Sequence, residues 1–202
     1  MPTYEHRGRR PVVHPTAYVA PTAVLCGDVQ IGAESRILFG AVVSAEDGRV
    51  RIGSHCVVME NALVRGRSEH PVDIADNVLV GPHAHINGAS VAEGCFLATG
   101  SSLFPGSVLA PNVEVRIHGV VHANTSVAEG SVVPIGWIAV GSPARILPPD
   151  RHDEIWSIQQ GLDFPGTVYG VDRETTAADL MDQQSRWYGA HKNDQRIARH
   201  DA

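Results

Sequence analysis

Aliphatic residues recur at every sixth position along most of this chain, in a series that runs from Val19 to Val133. Two insertions, at residues 44–50 and 66–73, interrupt the series, and one step is five residues long. A period of six fits neither an amphipathic helix nor a two-faced strand. A meander of ordinary short strands would not keep one phase over nineteen repeats. The repeated positions are Val19, Leu25, Ile31, Ile37, Val43, Ile52, Val58, Val64, Ile74, Val80, Ile86, Val91, Leu97, Leu103, Leu109, Val115, Val121, Val127 and Val133.

Repeats of six residues predict a parallel β-helix, in which each repeat forms one short strand and one corner. The aliphatic side chain points inward, and a small residue four places later lets the chain turn above the core. Three repeats make one triangular coil, and stacked coils bury the apolar faces of their neighbours. The predicted fold class is therefore all-β, with a parallel β-helix over residues 19–147 and C-terminal α-helices.

The segments outside the repeats are more polar. Residues 1–18 contain Pro11 and Pro15 and are expected to form an extended lead-in that covers the first coil. Residues 148–202 form a predicted C-terminal helical extension that begins at a Pro-Pro pair. We expect its last part, residues 189–202, to fray.

Two helices are predicted within the extension. The first spans residues 151–160, with Asp150 as its cap and Gly161 as its stop. The second spans residues 174–188, where apolar residues have helical spacing. Residues 163–170 between them read as a turn with an aromatic anchor.

Composition and net charge limit the kinds of partner that this protein is expected to bind and the compartment in which it is expected to fold. The net charge of −6 argues against nucleic acid as a general partner. No apolar run approaches membrane-spanning length, and the N-terminus does not resemble a signal peptide, so we expect a cytoplasmic protein without membrane contact. The three cysteines are interpreted as structural: Cys56 and Cys95 occupy the small-residue column, and Cys26 lies nearer the outer face.

Several stretches resemble the γ-class carbonic anhydrase-like proteins of the left-handed β-helix, or hexapeptide-repeat, superfamily. They are AVVSAEDG at 41–48, VRIG at 50–53, VVMENALVR at 57–65, VGPHAHING at 80–88 and VPIGWIAVGSPAR at 133–145. The last resembles a closing motif that hexapeptide acyltransferases share. The resemblance covers about residues 10–147. It implies a left-handed coil, a homotrimer, and a C-terminal helix that contacts a neighbouring subunit.

The resemblance also implies a metal site, and here the chain departs from the family pattern. In the family, three histidines from two subunits hold zinc or a similar metal. Their positions fall at Arg65, Pro82 and Asn87. Arginine has no lone pair to offer and proline has no side-chain donor, so the usual zinc site cannot form, and no cofactor is expected. The family's arginine and aspartate fall at Ser44 and Glu46, and its glutamine at Met59.

Candidate binding residues follow from the phase of the repeats. Arg65, Asn87, Phe104 and His122 each follow an inward aliphatic residue and should form one column on one face. Arg65 and Asn87, with Glu46 and Glu60 near them and His122 further along the column, would bind a carboxylate or another planar anion at the subunit cleft. The alternative is a salt bridge between Arg65 and Glu46 or Glu60 that only joins the subunits.

Two histidines are candidates for proton transfer. His83 and His85 should lie on one strand and share a face, and either could act as a general base, with Glu46 orienting it or acting as acid or base. They could also hold a non-canonical metal with a third ligand from Glu46, Glu60 or a neighbour's His122. The blander interpretation is two solvated or interfacial histidines. His118 and His122 are weaker candidates, and the histidines outside the coils are interpreted as surface residues: His6, His14, His152, His191 and His200.

Three functions stay open at this point. The first is a diverged enzyme of the lyase, hydratase or hydrolase type that acts on a small carboxylated molecule. The second is a coenzyme A-dependent acyltransferase, in which a cleft histidine deprotonates the acceptor. The third is a non-catalytic trimeric scaffold that has lost its site. Fold alone does not separate them, because function resides in the site.

Overall fold

The computed structural model describes residues 1–197 and shows a left-handed parallel β-helix with three flat faces. Face A is a sheet of ten strands and carries the candidate site. Its strands are β1 (Thr3–Glu5), β4 (Val24–Cys26), β7 (Val42–Ala45), β10 (Leu63–Gly66), β13 (His85–Asn87), β16 (Ser102–Leu103), β19 (Val120–Val121), β22 (Ile138–Val140), β23 (Arg145–Leu147) and β24 (Gln195–Arg196). The last two run antiparallel to their neighbours and close the sheet at its two ends.

Faces B and C contain seven strands each. Face B consists of β2 (Val12–Val13), β5 (Val29–Ile31), β8 (Val50–Ile52), β11 (Val72–Ile74), β14 (Ser90–Val91), β17 (Val108–Leu109) and β20 (Ser126–Val127). Face C consists of β3 (Tyr18–Val19), β6 (Arg36–Ile37), β9 (Val57–Val58), β12 (Leu79–Val80), β15 (Phe96–Leu97), β18 (Glu114–Val115) and β21 (Val132–Val133).

The pairing confirms the six-residue phase. Each strand of a coil pairs in parallel with the strand three elements later, so three repeats make one turn. Val64, for example, is the register partner of Val43 on one side and Ile86 on the other, and all three are completely buried. The core is therefore a stack of aliphatic side chains, which explains how the chain folds with so few aromatic residues.

The structure extends the coil towards the N-terminus. Strands β1 and β2 lie within residues 1–18 and pair in parallel with β4 and β5. The β-helix therefore begins at Thr3, well before the aliphatic series begins at Val19. The division of the chain into three parts at residues 18 and 147 stays a prediction.

Three α-helices follow the coils: α1 (His152–Gln159), α2 (Phe164–Tyr169) and α3 (Ala177–Tyr188). Helix α1 begins after Arg151 and has no side-chain cap, so the prediction of Asp150 as cap is wrong. A 3₁₀ turn at Gln160–Leu162 continues past Gly161, which does not end the helical segment. The predicted turn at 163–170 is also wrong: Asp163 accepts a hydrogen bond from the Gly166 amide and starts α2.

The C-terminal segment returns along face A instead of fraying. After α3, a second 3₁₀ turn (Gly189–Asn193) leads to β24, which pairs antiparallel with β1. The segment thus runs from the β22 end of face A to the β1 end, about 34 Å at about 4.8 Å per strand. The prediction that the tail frays is wrong for residues 189–197, and residues 198–202 lie outside the described part of the chain.

Candidate functional site

Face A presents a column of polar and aromatic side chains along successive strands. Cys26, Ser44, Arg65 and Asn87 are register partners in turn across β4, β7, β10 and β13. The same register carries the column on to Phe104 and His122, whose rings stack at 6.0 Å between centroids. The hexapeptide phase predicted this arrangement for Arg65 and the residues beyond it, and the structure confirms it.

The C-terminal segment covers this column at three points. Phe164 of α2 packs on Phe104 and His122, with ring centroids 5.5 and 5.2 Å apart. Tyr188, at the end of α3, lies over Arg65, with its ring centroid 5.7 Å from Cζ. His191, in the following 3₁₀ turn, contacts Glu46. The column is therefore partly enclosed within a single chain.

Arg65 and Asn87 sit side by side on β10 and β13 under this cover. The Nε atom of Arg65 lies 3.7 Å from Oε1 of Glu46, and its Nη1 donates to the Tyr188 hydroxyl at 3.4 Å. Within residues 1–197, neither Arg65 Nε nor Asn87 Oδ1 has a hydrogen-bond partner, although both atoms are buried. A donor and an acceptor without partners at adjacent positions are costly unless another molecule satisfies them.

Glu46 is buried at the end of β7, where a charged side chain needs partners. It accepts hydrogen bonds from the Ser44 hydroxyl at 2.9 Å and from His191 Nε2 at 2.7 Å. Together with the ion pair to Arg65, these contacts hold the carboxylate in place. The ion pair between Arg65 and Glu46 that the sequence suggested is present within one chain, whereas Glu60 forms none with Arg65 among the described residues.

A group that the sequence did not reveal lies at the β1 end of the column. Asp194 accepts from His6 Nδ1 at 2.6 Å and from His191 Nδ1 at 2.8 Å, and the Cys26 thiol points to it at 3.6 Å. The His6 and His191 rings stack at 4.5 Å. His6 is only 2% exposed, so its interpretation as a surface residue is wrong. Cys26 lies in the outward column, as its position after Leu25 predicted, and is 6% exposed beneath the C-terminal segment. His200 lies outside the described residues.

Burial and charge set the protonation of this group. Burial and the negative charge of Asp194 raise the pKa of the Cys26 thiol to about 12, so it is a protonated thiol at neutral pH and not a nucleophile. Burial alone would lower the pKa of His191, but its hydrogen bonds to Asp194 and Glu46 raise it overall. The pKa of Asp194 is lowered because the hydrogen bonds from His191 and His6 outweigh burial.

A cavity of about 410 Å³ opens beside these residues. Its walls include Ser44, Glu46 and Arg65 from the coils and His191 and Asp194 from the C-terminal segment. The volume is that of a small-molecule pocket, and its polar groups converge from two parts of the chain.

His83 and His85 do not share a strand, so that expectation is wrong. His83 lies in the corner before β13 with φ +56°, is exposed, and donates its amide to the Glu60 carbonyl at 3.0 Å. The left-handed corner turns its side chain away from the face that His85 occupies. His85 lies on β13, with its ring 6.3 Å from that of Phe104. Burial, and then the charge of Arg65, lower the pKa of His85, which favours a neutral imidazole.

His122 is buried at the far end of the column and is separated from Arg65 by three strand steps, about 14 Å. Phe104 stands between the two, and Phe164 covers His122. Burial lowers the pKa of His122, and its Nδ1 has no partner in the described part of the chain. The structure therefore groups Arg65, Asn87, His85 and Glu46, and it leaves His122, Glu60 and His83 apart from them.

Comparisons with known proteins give relatives for this chain. "Gamma carbonic anhydrase 1, mitochondrial" of Arabidopsis thaliana is 34% identical over 158 residues, which are 75% of this chain but only 55% of that protein. "Carnitine operon protein CaiE" of Shigella flexneri is 28% identical over 187 residues, 91% of this chain and 92% of that one. No protein-family model matches the sequence.

The solved structures that resemble the chain include UDP-N-acetylglucosamine O-acyltransferase (LpxA) from Moraxella catarrhalis. It is 15% identical, with a TM-score of 0.48, and the alignment covers 93% of this chain and 94% of that one. In residues 1–197 no helix has the length and apolar character needed to cross a membrane.

Fold and site together define a hexapeptide-repeat β-helix protein with a polar column on one face. With its curated relatives, the chain is a γ-carbonic anhydrase-like protein of this type, as the sequence motifs predicted. The metal of that family does not fit the residues present. Arg65 is paired with Glu46, and Pro82 precedes the exposed corner at His83, so no three-histidine set forms there.

Proposed function

We propose that this protein is a diverged enzyme of the γ-carbonic anhydrase-like group that binds a small carboxylate at Arg65. The observation that carries the proposal is the pair of buried, unsatisfied polar atoms, Arg65 Nε and Asn87 Oδ1, for which residues 1–197 offer no partner. A carboxylate would accept from the guanidinium, and a neighbouring hydroxyl of the same molecule would donate to the amide oxygen.

The position of Arg65 suits this role. Glu46 and Tyr188 fix the guanidinium from two sides, so little side-chain entropy is lost when a ligand binds. The Arg65 side chain keeps 26% of its surface exposed and lines the cavity, so a ligand in the cavity can reach it. Glu46 acts here as the orienting group.

His85 is the residue that we assign to proton transfer. It lies diagonally across from Arg65 on the neighbouring strand, on the same face as Asn87. Its lowered pKa keeps the ring neutral near pH 7, as a general base requires. A lyase, hydratase or hydrolase step on a hydroxylated carboxylate fits this set. The exposed His83 is the weaker candidate for the base.

We propose a homotrimer, on the resemblance that the sequence carries. In such an assembly a neighbouring subunit would complete the cleft beside β10 and β13. Glu60 and His122, which this chain does not bring to Arg65, would then contribute only to a larger substrate or to the subunit contact. A cytoplasmic location is likewise a proposal, because two curated relatives are named as mitochondrial.

Calorimetric titration with a matched pair of ligands tests the proposal. Lactate and propionate differ by one hydroxyl group, so binding of both with a preference for lactate is expected if Asn87 Oδ1 accepts that hydroxyl. Arg65→Ala should abolish binding of both, while Arg51→Ala, on the exposed surface of face B, should bind as the wild type does. Equal binding by Arg65→Ala would refute the site.

Binding and activity assays on the same purified protein distinguish the proposed enzyme from an acyltransferase, an ordinary carbonic anhydrase and a scaffold. Binding and turnover of acetyl-coenzyme A, with no response to carboxylates, would favour the acyltransferase. Carbon dioxide hydration that depends on added zinc would favour an ordinary carbonic anhydrase. The absence of binding in every arm would favour the scaffold.

A further inference from the structure

Four side chains with metal-binding atoms converge where the C-terminal segment meets the first coils. His6, Cys26, His191 and Asp194 each offer one ligand atom, and these atoms all lie within 4.8 Å of one another. They come from three separate parts of the sequence. We propose that these four residues form a structural zinc site that fastens the C-terminal segment to the start of the β-helix.

The donor set matches the proposed ion. Two imidazole nitrogens, one sulfur and one carboxylate oxygen are the ligand types that Zn²⁺ takes, and four protein ligands make a closed, structural site. Tetrahedral bonds of about 2.0–2.3 Å place ligand atoms about 3.3–3.7 Å apart. The observed 4.8 Å limit therefore requires a contraction of about 1 Å, which small rotations of the His191 and Asp194 side chains can supply.

A contact outside the four proposed ligands, from Glu46 to His191, already orients the His191 ring for metal binding. Glu46 accepts from Nε2 of His191 at 2.7 Å, which fixes the proton on that nitrogen and aims Nδ1 at the centre of the group. A carboxylate that holds the far nitrogen of a ligating histidine is the common second layer of zinc sites. Glu46 is itself held by Ser44 and Arg65, so the proposed metal is linked to the carboxylate site.

Metal binding must displace protons, and the structure shows which. The Nδ1 proton that now points from His191 to Asp194 is released, and the Cys26 thiol loses its proton to become a thiolate, whereas neutral His6 keeps its single proton. The proton that remains on His6 moves to Nε2. Arg7, whose Nε now donates to that nitrogen at 3.2 Å, is exposed and free to move away.

At this location a metal ion would strengthen the attachment of the C-terminal segment to the first coils. Strand β24 pairs with β1 through only two register pairs, which is a weak attachment for a returning segment. A metal shared by His6, Cys26, His191 and Asp194 would close a loop of more than 160 residues. It would also keep His191 on Glu46 and Tyr188 over Arg65. Without metal, the same residues would hold the C-terminal segment only through their hydrogen bonds to Asp194.

The experiment uses full-length protein without an affinity tag, stripped with chelator and titrated with Zn²⁺ and with Co²⁺. We expect one metal ion per chain and, with Co²⁺, a near-ultraviolet charge-transfer band that requires a thiolate ligand. Cys26→Ser should abolish the band and weaken zinc binding by more than the ~10- to 100-fold typical of outer-contact losses. Cys95→Ala, a second buried cysteine in the coils, is the matched control and should leave both unchanged.

A second variant tests whether a loss of zinc binding in Cys26→Ser comes from misfolding of the coils. Asp194→Asn changes the C-terminal segment and not the coils, so it should fold normally and still lose zinc affinity, and its tail should become as sensitive to protease as that of the metal-free wild type. The proposal is overturned if Co²⁺ gives no thiolate band, if both variants bind zinc like the wild type, or if the wild type binds no zinc at micromolar concentration.

Discussion

Arg65 and Asn87 are register partners on adjacent strands, and each buries a polar atom that has no partner among residues 1–197. Both stand where the related carbonic anhydrases are expected to place metal-binding histidines. A stable chain rarely keeps two such atoms together without a use for them. Arg65 and Asn87 therefore replace the family's metal ligands with the two groups that we propose to bind a small carboxylate.

Replacing Asn87 with leucine separates binding from stability. The substitution removes a buried, unsatisfied amide and keeps a similar volume, so the ligand-free protein should gain about 1 kcal/mol or more in its free energy of unfolding. The preference for lactate over propionate should disappear at the same time. Denaturant unfolding and calorimetry measure the two effects. Lower stability with an unchanged preference for lactate would mean that Asn87 is a packing residue.

The pKa of His85 should respond to Arg65. Burial and the guanidinium charge both lower it, so NMR titration of the His85 ring should show a midpoint below 6.5 in the wild type. Arg65→Ala removes the positive charge and should raise that midpoint, while Arg51→Ala should not move it. An unchanged titration in Arg65→Ala would show that the two side chains do not interact and would weaken the assignment of His85 as base.

His122 should make the protein less stable in acid. Its pKa is lowered in the folded state, so the unfolded chain binds the proton more tightly. The stabilisation is complete above the unfolded pKa of 6.5 and is lost as the pH falls from there through the folded pKa. His122→Leu should therefore flatten the fall in the melting temperature below pH 6.5, and the exposed control His14→Leu should not. A steeper fall in His122→Leu would contradict this origin.

The phase of the coils predicts which aliphatic residues matter for stability. Leu103 is completely buried, so Leu103→Ala should cost about 2–5 kcal/mol in the free energy of unfolding. Val108 is 46% exposed on β17, and Val108→Ala should stay within about 0.5 kcal/mol. Denaturant unfolding of the two variants measures the difference. Equal costs would mean that the inward and outward positions are misassigned.

The sequence predicted the coils well because the repeat is a local signal that every coil restates. Arg65, Asn87, Phe104 and His122 could be placed on one face by counting alone. His83 was misplaced because a left-handed corner, and not the strand, sets its direction. Residues with φ > 0 recur three places after an inward aliphatic residue, as at Asn61, His83 and Asn124, so the six-residue phase itself marks this corner, and only the strand assignment of His83 was in error.

The contacts of the C-terminal segment could not be predicted from the pattern. His6 lies before the first aliphatic repeat, and His191 and Asp194 lie after the last helix, so no period relates them. They meet because β24 pairs with β1, a contact between strands whose paired residues, Glu5 with Gln195 and Tyr4 with Arg196, are far apart in the sequence. Helix α2 was missed because Phe-Pro-Gly resembles a turn, whereas Asp163 caps it and the Phe164 ring is held by Phe104 and His122.

Crystallography of the assembled protein, with crystals grown in lactate and data collected at the zinc absorption edge, distinguishes a carboxylate site from a metal site at Arg65 and Asn87. We expect lactate to be bound with its carboxylate on Arg65 and its hydroxyl on Asn87, and no anomalous peak at those two residues. A metal peak beside Arg65 and Asn87, coordinated by three imidazoles at a subunit junction, would contradict it.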